Sequence, residues 1–200
     1  MGVIRIVPST PEEVLEFWFA LEKPGKKDDP LIRENLFELY EQAAGGQLKH
    51  WSQAPSQRLA LVLLLDQVPR HLYRMDARAF ATDLRAQRET SRFFDSGDWD
   101  AFSPMERFYA ALPYLHAEDV AAQEQVNPLV HESAGQIESL SFMGRIADLY
   151  LETIRRFGYF PHRNTLRGRD DSPEEQRFLE TEWHPRRKRA IPEALMPTEG

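Results

Sequence analysis

The chain has no cysteine among its 200 residues. That removes disulfides, thiol nucleophiles, iron–sulfur clusters and thiolate-held zinc from consideration. Lysine is scarce, with 5 residues against 20 arginines, so cationic sites must be built from planar guanidinium forks, which suit carboxylates and phosphates. Glycine (10) and proline (14) are too few for a low-complexity or collagen-like chain. A long apolar run is missing too. The longest, Leu59 to Leu65, spans seven residues, well short of the roughly 20 a membrane helix needs. Ile6 stands where a myristoylation signal wants a hydroxyl, and no signal-peptide apolar region follows Met1; a cytoplasmic protein without membrane partners is expected. Excess positive charge is also lacking. The 25 basic against 32 acidic side chains leave a net charge of −7, which argues against nucleic acid as a partner.

Several catalytic signatures are absent as well. The sequence has no Gly-x-Ser-x-Gly, no P-loop and no Gly-x-Gly-x-x-Gly, so serine-hydrolase, nucleotidase and dinucleotide-binding readings lack support. The six histidines (His50, His71, His116, His131, His162 and His184) include no pair at three- or four-residue spacing. No metal site is expected, and nothing names a cofactor.

What is present reads as helix. A hydroxyl, a proline and then a glutamate three residues after the hydroxyl recur at Thr10-Pro11-Glu12-Glu13, Ser103-Pro104-Met105-Glu106 and Ser172-Pro173-Glu174-Glu175. This is the capping-box start of a helix. Asp29-Pro30 is a simpler start, and Gly45-Gly46, Gly97 and Gly158 suit helix ends. These signals predict helices near 11–21, 30–44, 56–67, 77–95, 104–115, 118–131, 136–157 and 173–183. Apolar spacing agrees, as at Leu36, Leu39, Tyr40 and Ala43. The expectation is one all-α domain over residues 1–200, with its core at about 11–182 and a short tail, 183–200, carrying the basic run Arg186-Arg187-Lys188-Arg189. Pro69 is expected to break the buried helix before it. Residues 157–169 read as a loop of about a dozen residues, long enough to suggest function.

Two stretches carry the candidate chemistry. Around the loop, Arg163, Arg167 and Arg169 offer guanidinium forks, with His162 and Asn164 beside them. Following the buried helix come Asp66, Gln67, Arg70, Tyr73 and Arg74, with Arg70 and Arg74 four apart. His116 and Glu118 lie at the junction of two helices. The sharp reading is a pocket for a small anion, phosphate or carboxylate. Asp66, Gln67, Arg70, Arg74, Glu118, Arg163, Asn164 and Arg169 would form the ligand-binding set, with His162 or His116 moving a proton. The bland reading has the same arginines paired with the acidic body and the histidines as packing residues. Phe160 is expected to be a buried anchor. Asp66 is the expected partner of Arg163.

Four strings then resemble one family: Val14-Leu15-Glu16-Phe17-Trp18-Phe19, Asp66 to Arg74, Ala79-Phe80-Ala81-Thr82-Asp83 and Phe157 to Asn164. In this order they resemble the bacterial "domain of unknown function 924" family, over about residues 11–182. The resemblance implies an all-helical fold of about eight helices in antiparallel pairs, a tetratricopeptide-like array, and no particular reaction. It also opens an alternative: a protein- or peptide-binding scaffold without catalysis. The chain departs from the family pattern at His71, at Met75 (where glycine is usual), at Ala117, at Tyr159 (where arginine is usual) and at Arg167 (where an apolar residue is usual).

Overall fold

Three hydroxyl side chains begin helices where the sequence places them. The structure is a computed structural model describing residues 7–21 and 24–184; the basic run at 186–189 lies outside the described residues. Thr10 caps α1 (Pro11–Ala20), Ser103 caps α6 (Pro104–Leu115) and Ser172 caps α10 (Pro173–Thr181), each in a closed capping box with its glutamate. The intervening helices are α2 (Asp29–Ala44), α3 (Pro55–Val62), α4 (Val68–Leu72), α5 (Asp83–Ser96), α7 (Val120–Gln136), α8 (Met143–Phe157) and α9 (Asn164–Arg167). No strand occurs among the described residues, and the fold is all-α.

The proline at 69 does not break its helix. Residues 55–72 form one rod in which α3 widens into a π turn, Leu63–Gln67, and continues as α4. The wider turn places the Val68 amide on the Leu63 carbonyl. Proline removes the amide that would serve the Leu65 carbonyl four residues back. That carbonyl is taken instead by the Thr82 hydroxyl at 2.5 Å. A hydrogen bond from a neighbouring segment therefore replaces the one the rod lacks, and the helix survives its proline.

The stretch expected as one helix over 77–95 is split. A 3₁₀ turn, Ala77–Phe80, comes first, started by the Asp76 carboxylate, and α5 begins only at Asp83. Helix α7 runs past 131 to Gln136 because Val126, Val130, Ser133 and Ala134 continue its buried stripe, and α8 starts later, at Met143. The expected loop at 157–169 also has structure. Gly158 ends α8 in the left-handed conformation, at φ 76°. Pro161–Arg163 forms a 3₁₀ turn with proline at its start, and α9 follows as far as Gly168, at φ 66°.

The rod is the centre of the molecule, and every residue from Leu59 to Leu65 is buried. On one side Trp18, Ile32, Leu36 and Tyr40 of α1 and α2 pack with it. Leu59 and Val62 meet Phe93, Phe102 and Ala110 on another. Helices α6, α7 and α8 pack in succession through Leu112, Leu115, Val126, Val130 and Ala147. Short connections make such neighbours antiparallel.

Candidate functional site

The lower end of the rod carries a buried carboxylate. The Asp66 side chain is 0% exposed and sits in the π turn, a feature often found at functional sites. One turn on, Arg70 shares its face and brings Nη1 to 3.1 Å from Asp66 Oδ1. The same Nη1 lies 2.9 Å from Asp83 Oδ1 at the start of α5. Gln67 donates from Nε2 to Asp66 Oδ2 at 2.6 Å. His116, at the end of α6, places Nδ1 3.0 Å from both Asp66 oxygens. One buried carboxylate thus holds a guanidinium, an amide and an imidazole.

These contacts fix the charges. Burial alone would raise the Asp66 carboxyl, but Arg70 and His116 hold it well below the usual carboxylate range. Burial and the nearby Asp66 charge push Asp83 up, against the pull of Arg70. Burial and Arg70 push His116 down, so its neutral form is favoured beside an ionised Asp66. A neutral ring donating from Nδ1 to Asp66 carries its lone pair on Nε2, the tautomer a proton acceptor needs.

Phe160 closes the cluster from the other side. It is fully buried, as expected, and its amide donates to Glu118 Oε1 at 3.2 Å. Pro161 turns the chain after it, and Arg163, only 4% exposed, runs inward. Arg163 does not pair with Asp66. Asp66 is already claimed by its own helix neighbour Arg70 and by His116. Arg163 donates from Nη1 to the His116 carbonyl at 3.1 Å, lies 3.7 Å from Glu118 Oε1, and stacks on the Phe160 ring at 4.5 Å. Burial and the neighbouring Arg70 bring its guanidinium down to about 10, so it stays charged near neutrality. Arg169 approaches the same Glu118 oxygen at 3.6 Å and lies over Tyr159 at 4.0 Å. The tyrosine standing in place of an expected arginine therefore supports a cation instead of adding one.

Three of the expected site residues have their closest partners away from Asp66. Arg74 makes two hydrogen bonds to Asp29, at 2.8 and 2.6 Å, next to His71, whose Nδ1 is 2.7 Å from the same carboxylate. Asn164 donates to Asp171 and Glu175, tying the loop to α10. The His162 ring stacks on Trp183 at 4.4 Å; burial and Arg163 lower its pKa, though the residue keeps exposed surface.

Two residues are absent from the sequence-derived set. Asp83 is the second carboxylate on Arg70. Phe80 lies under three guanidinium carbons, those of Arg70 at 5.7 Å, Arg163 at 4.8 Å and Arg167 at 5.4 Å. The signal was their place in the Ala79–Asp83 string, which reads as plain helix by periodicity. A cleft of about 340 Å³ opens here, lined by Arg70, Arg74, Phe80, His162, Thr165 and Leu166, with Met75 and Ala79 at its edge. Among the described residues, no three histidine or carboxylate side chains are placed to hold a metal ion.

The strings that build this cluster also place the chain among known proteins. Residues 9–182 match the family described as "Bacterial protein of unknown function (DUF924)". The chain belongs to that family. A solved structure of a protein of unknown function from Agrobacterium tumefaciens is similar to it, with 30% sequence identity and a TM-score of 0.76. That match covers 85% of this chain and 96% of the other. The comparison with curated proteins finds no match. Met75, where the resemblance leads to an expectation of glycine, takes a φ of 64°, the one non-glycine residue with positive φ among those described.

Proposed function

We propose that this protein binds a small anion, a phosphate or a carboxylate, in the cleft between α4, the 77–80 turn and the 161–167 segment. One observation carries the reading. Arg70 commits Nη1 to Asp66 and Asp83, while its Nη2 is buried without a partner, and the residue lines the cleft. A buried guanidinium N–H without an acceptor costs on the order of 1–3 kcal/mol, and an oxyanion supplies acceptors in the geometry of the fork. His116, held by Asp66, is the candidate proton-transferring residue, with His162 at the rim of the cleft. Binding alone, without chemistry, satisfies the same contacts.

Titration calorimetry with inorganic phosphate, sulfate, acetate and succinate tests the reading. Arg70→Gln is expected to weaken whichever anion binds by about 10- to 100-fold, the range for losing one charge-assisted hydrogen bond. A panel with no heat of binding and no rise in melting temperature sinks the proposal.

A tetratricopeptide-like scaffold that takes a peptide is the rival, and one feature favours it. A wider groove of about 660 Å³ runs between Trp18, Phe19, Met105 and Tyr109, with Ser103, Glu106 and Ser139 along it, and helical arrays commonly use such grooves for peptides. A stoichiometric protein partner whose capture is lost on Tyr109→Ala, and kept on Arg70→Gln, would decide for the rival.

A further inference from the structure

The buried charges around Phe80 are balanced before any ligand arrives. Arg70, Arg163 and Arg169 stand against Asp66, Asp83 and Glu118, with His116 disposed to be neutral and Arg167 exposed to water. Building on the anion reading above, we propose that the site takes a dianionic oxyanion of the phosphate or sulfate class together with one proton, and that Asp83 receives that proton.

The donor arrangement points to a tetrahedral dianion. One guanidinium fork satisfies a carboxylate. Here three guanidiniums from three different segments, α4, the 161–163 turn and α9, lie around the Phe80 ring, and Arg70 among them lines the cleft. Two of their nitrogens, Arg70 Nη2 and Arg163 Nε, are buried without partners. Donors arriving from several directions suit oxygens that point in several directions.

The proton follows from charge. Two added negative charges in a buried, balanced cluster are unfavourable unless something neutralises one of them. Asp66 is a poor candidate, because Gln67, His116 and Arg70 all hold its ionised form. Among the described residues, Asp83 has a single close cation, Arg70 Nη1, shared with Asp66. The groups facing it are Arg70 from α4, Asp66 from the π turn, His116 from the end of α6 and Arg163 from the turn after Phe160. Burial already inclines Asp83 toward its neutral form. An anion that draws on Arg70 weakens the closest contact opposing that tendency.

Sulfate is the probe for the proton count, since it does not titrate near neutrality. Calorimetry on the full chain in two buffers of different ionisation heat is expected to show about one proton taken up per sulfate. Affinity should tighten by about tenfold per pH unit as pH falls, the linkage slope for one proton. Asp83→Asn should bind sulfate with no uptake and no pH slope, and His116→Asn should keep both. A glycerol phosphate arm separates sources. Binding tighter than sulfate assigns the terminal group of a monoester, and weaker binding assigns a free anion; both keep the proposal. Sulfate binding without proton uptake overturns it and leaves the anion reading standing. So does sulfate silence beside carboxylate binding. Uptake that survives Asp83→Asn and disappears in His116→Asn overturns the assignment to Asp83. Silence toward every anion removes the anion reading itself. Should Asp83→Asn fail to fold, the wild type and His116→Asn decide together: zero uptake in the wild type overturns the proposal, and uptake lost in His116→Asn overturns the assignment to Asp83.

Discussion

Met75 has a backbone that its side chain opposes. At φ 64° and 82% exposed, it holds a left-handed conformation with no packing in return. A residue with a Cβ gives up roughly 1–2 kcal/mol there, while glycine adds about 0.4–1 kcal/mol of unfolded-chain entropy. Met75→Gly should therefore raise stability by on the order of 0.5–1 kcal/mol, read as a higher urea midpoint. An unchanged or lower midpoint would show that the turn after Arg74 relaxes in solution. His116 offers a second test at the same scale. Its pKa is lowered in the folded protein by burial and Arg70. As pH falls below the unfolded value of about 6.5, the unfolded chain takes a proton that the folded chain resists, so stability is lost on the acid side. The slope of melting temperature against pH between about 6.5 and 5 should be shallower in His116→Asn, whose amide can still reach Asp66. His162 shifts in the same direction and keeps part of the slope. An identical slope in the two proteins would mean His116 titrates normally. At this scale the sequence reveals residue types more readily than partners. Arg163 is recognisable as a site cation, but its acceptor is a backbone carbonyl, and no sequence pattern marks a carbonyl whose direction the tertiary fold decides.

Among the elements, the rod at 55–72 is where local rules and packing disagree most. Proline at 69 argues for a break by every local criterion. The helix persists because the π turn displaces the ladder and the Thr82 hydroxyl serves the orphaned Leu65 carbonyl. The two residues are thus coupled across 13 positions of sequence, and a double-mutant cycle measures that coupling. Thr82→Ala alone should cost about 1–3 kcal/mol, because a buried carbonyl loses its donor. In a Pro69→Ala background the restored amide can serve that carbonyl, and the cost of Thr82→Ala should fall below half. Equal costs in both backgrounds would show that Thr82 acts through its packing alone. The capping boxes at Thr10, Ser103 and Ser172 lie in plain view because each is closed within four residues. The split of 77–95 is not. Asp76 and Asp83 both start helical turns, yet the apolar spacing continues across the gap between them. Phe80, Thr82 and Asp83 are concealed in that gap: the ring beside Arg70, the hydroxyl that serves the rod, and the second carboxylate on Arg70.

Across the whole molecule, the site joins parts of the chain far apart in sequence: the rod, the end of α6 and the segment after α8. The last is held down from behind by α10 and the residues just after it. Trp183 stacks on His162 at 4.4 Å and on Tyr150 at 5.3 Å, and it meets Phe160 and Phe178 near 6 Å. Asn164 adds hydrogen bonds to Asp171 and Glu175, at 2.7 and 3.2 Å. Ordering each residue of that segment costs about 1–2 kcal/mol in backbone entropy. Phe160 alone returns only roughly 1.5–3 kcal/mol of that, so the aromatic stack at Trp183, just after α10, and the polar ties must supply much of the rest. Trp183→Ala removes the stack while leaving every arginine in place. It should lower global stability by about 1–2 kcal/mol, because the ring is only half-buried. It should also speed amide hydrogen exchange at residues 162–167 more than in the rod, as expected when a local unit is loosened. Exchange that rises equally in both regions would mean that α10 stabilises the molecule as a whole and does not specifically hold Arg163 against Phe80.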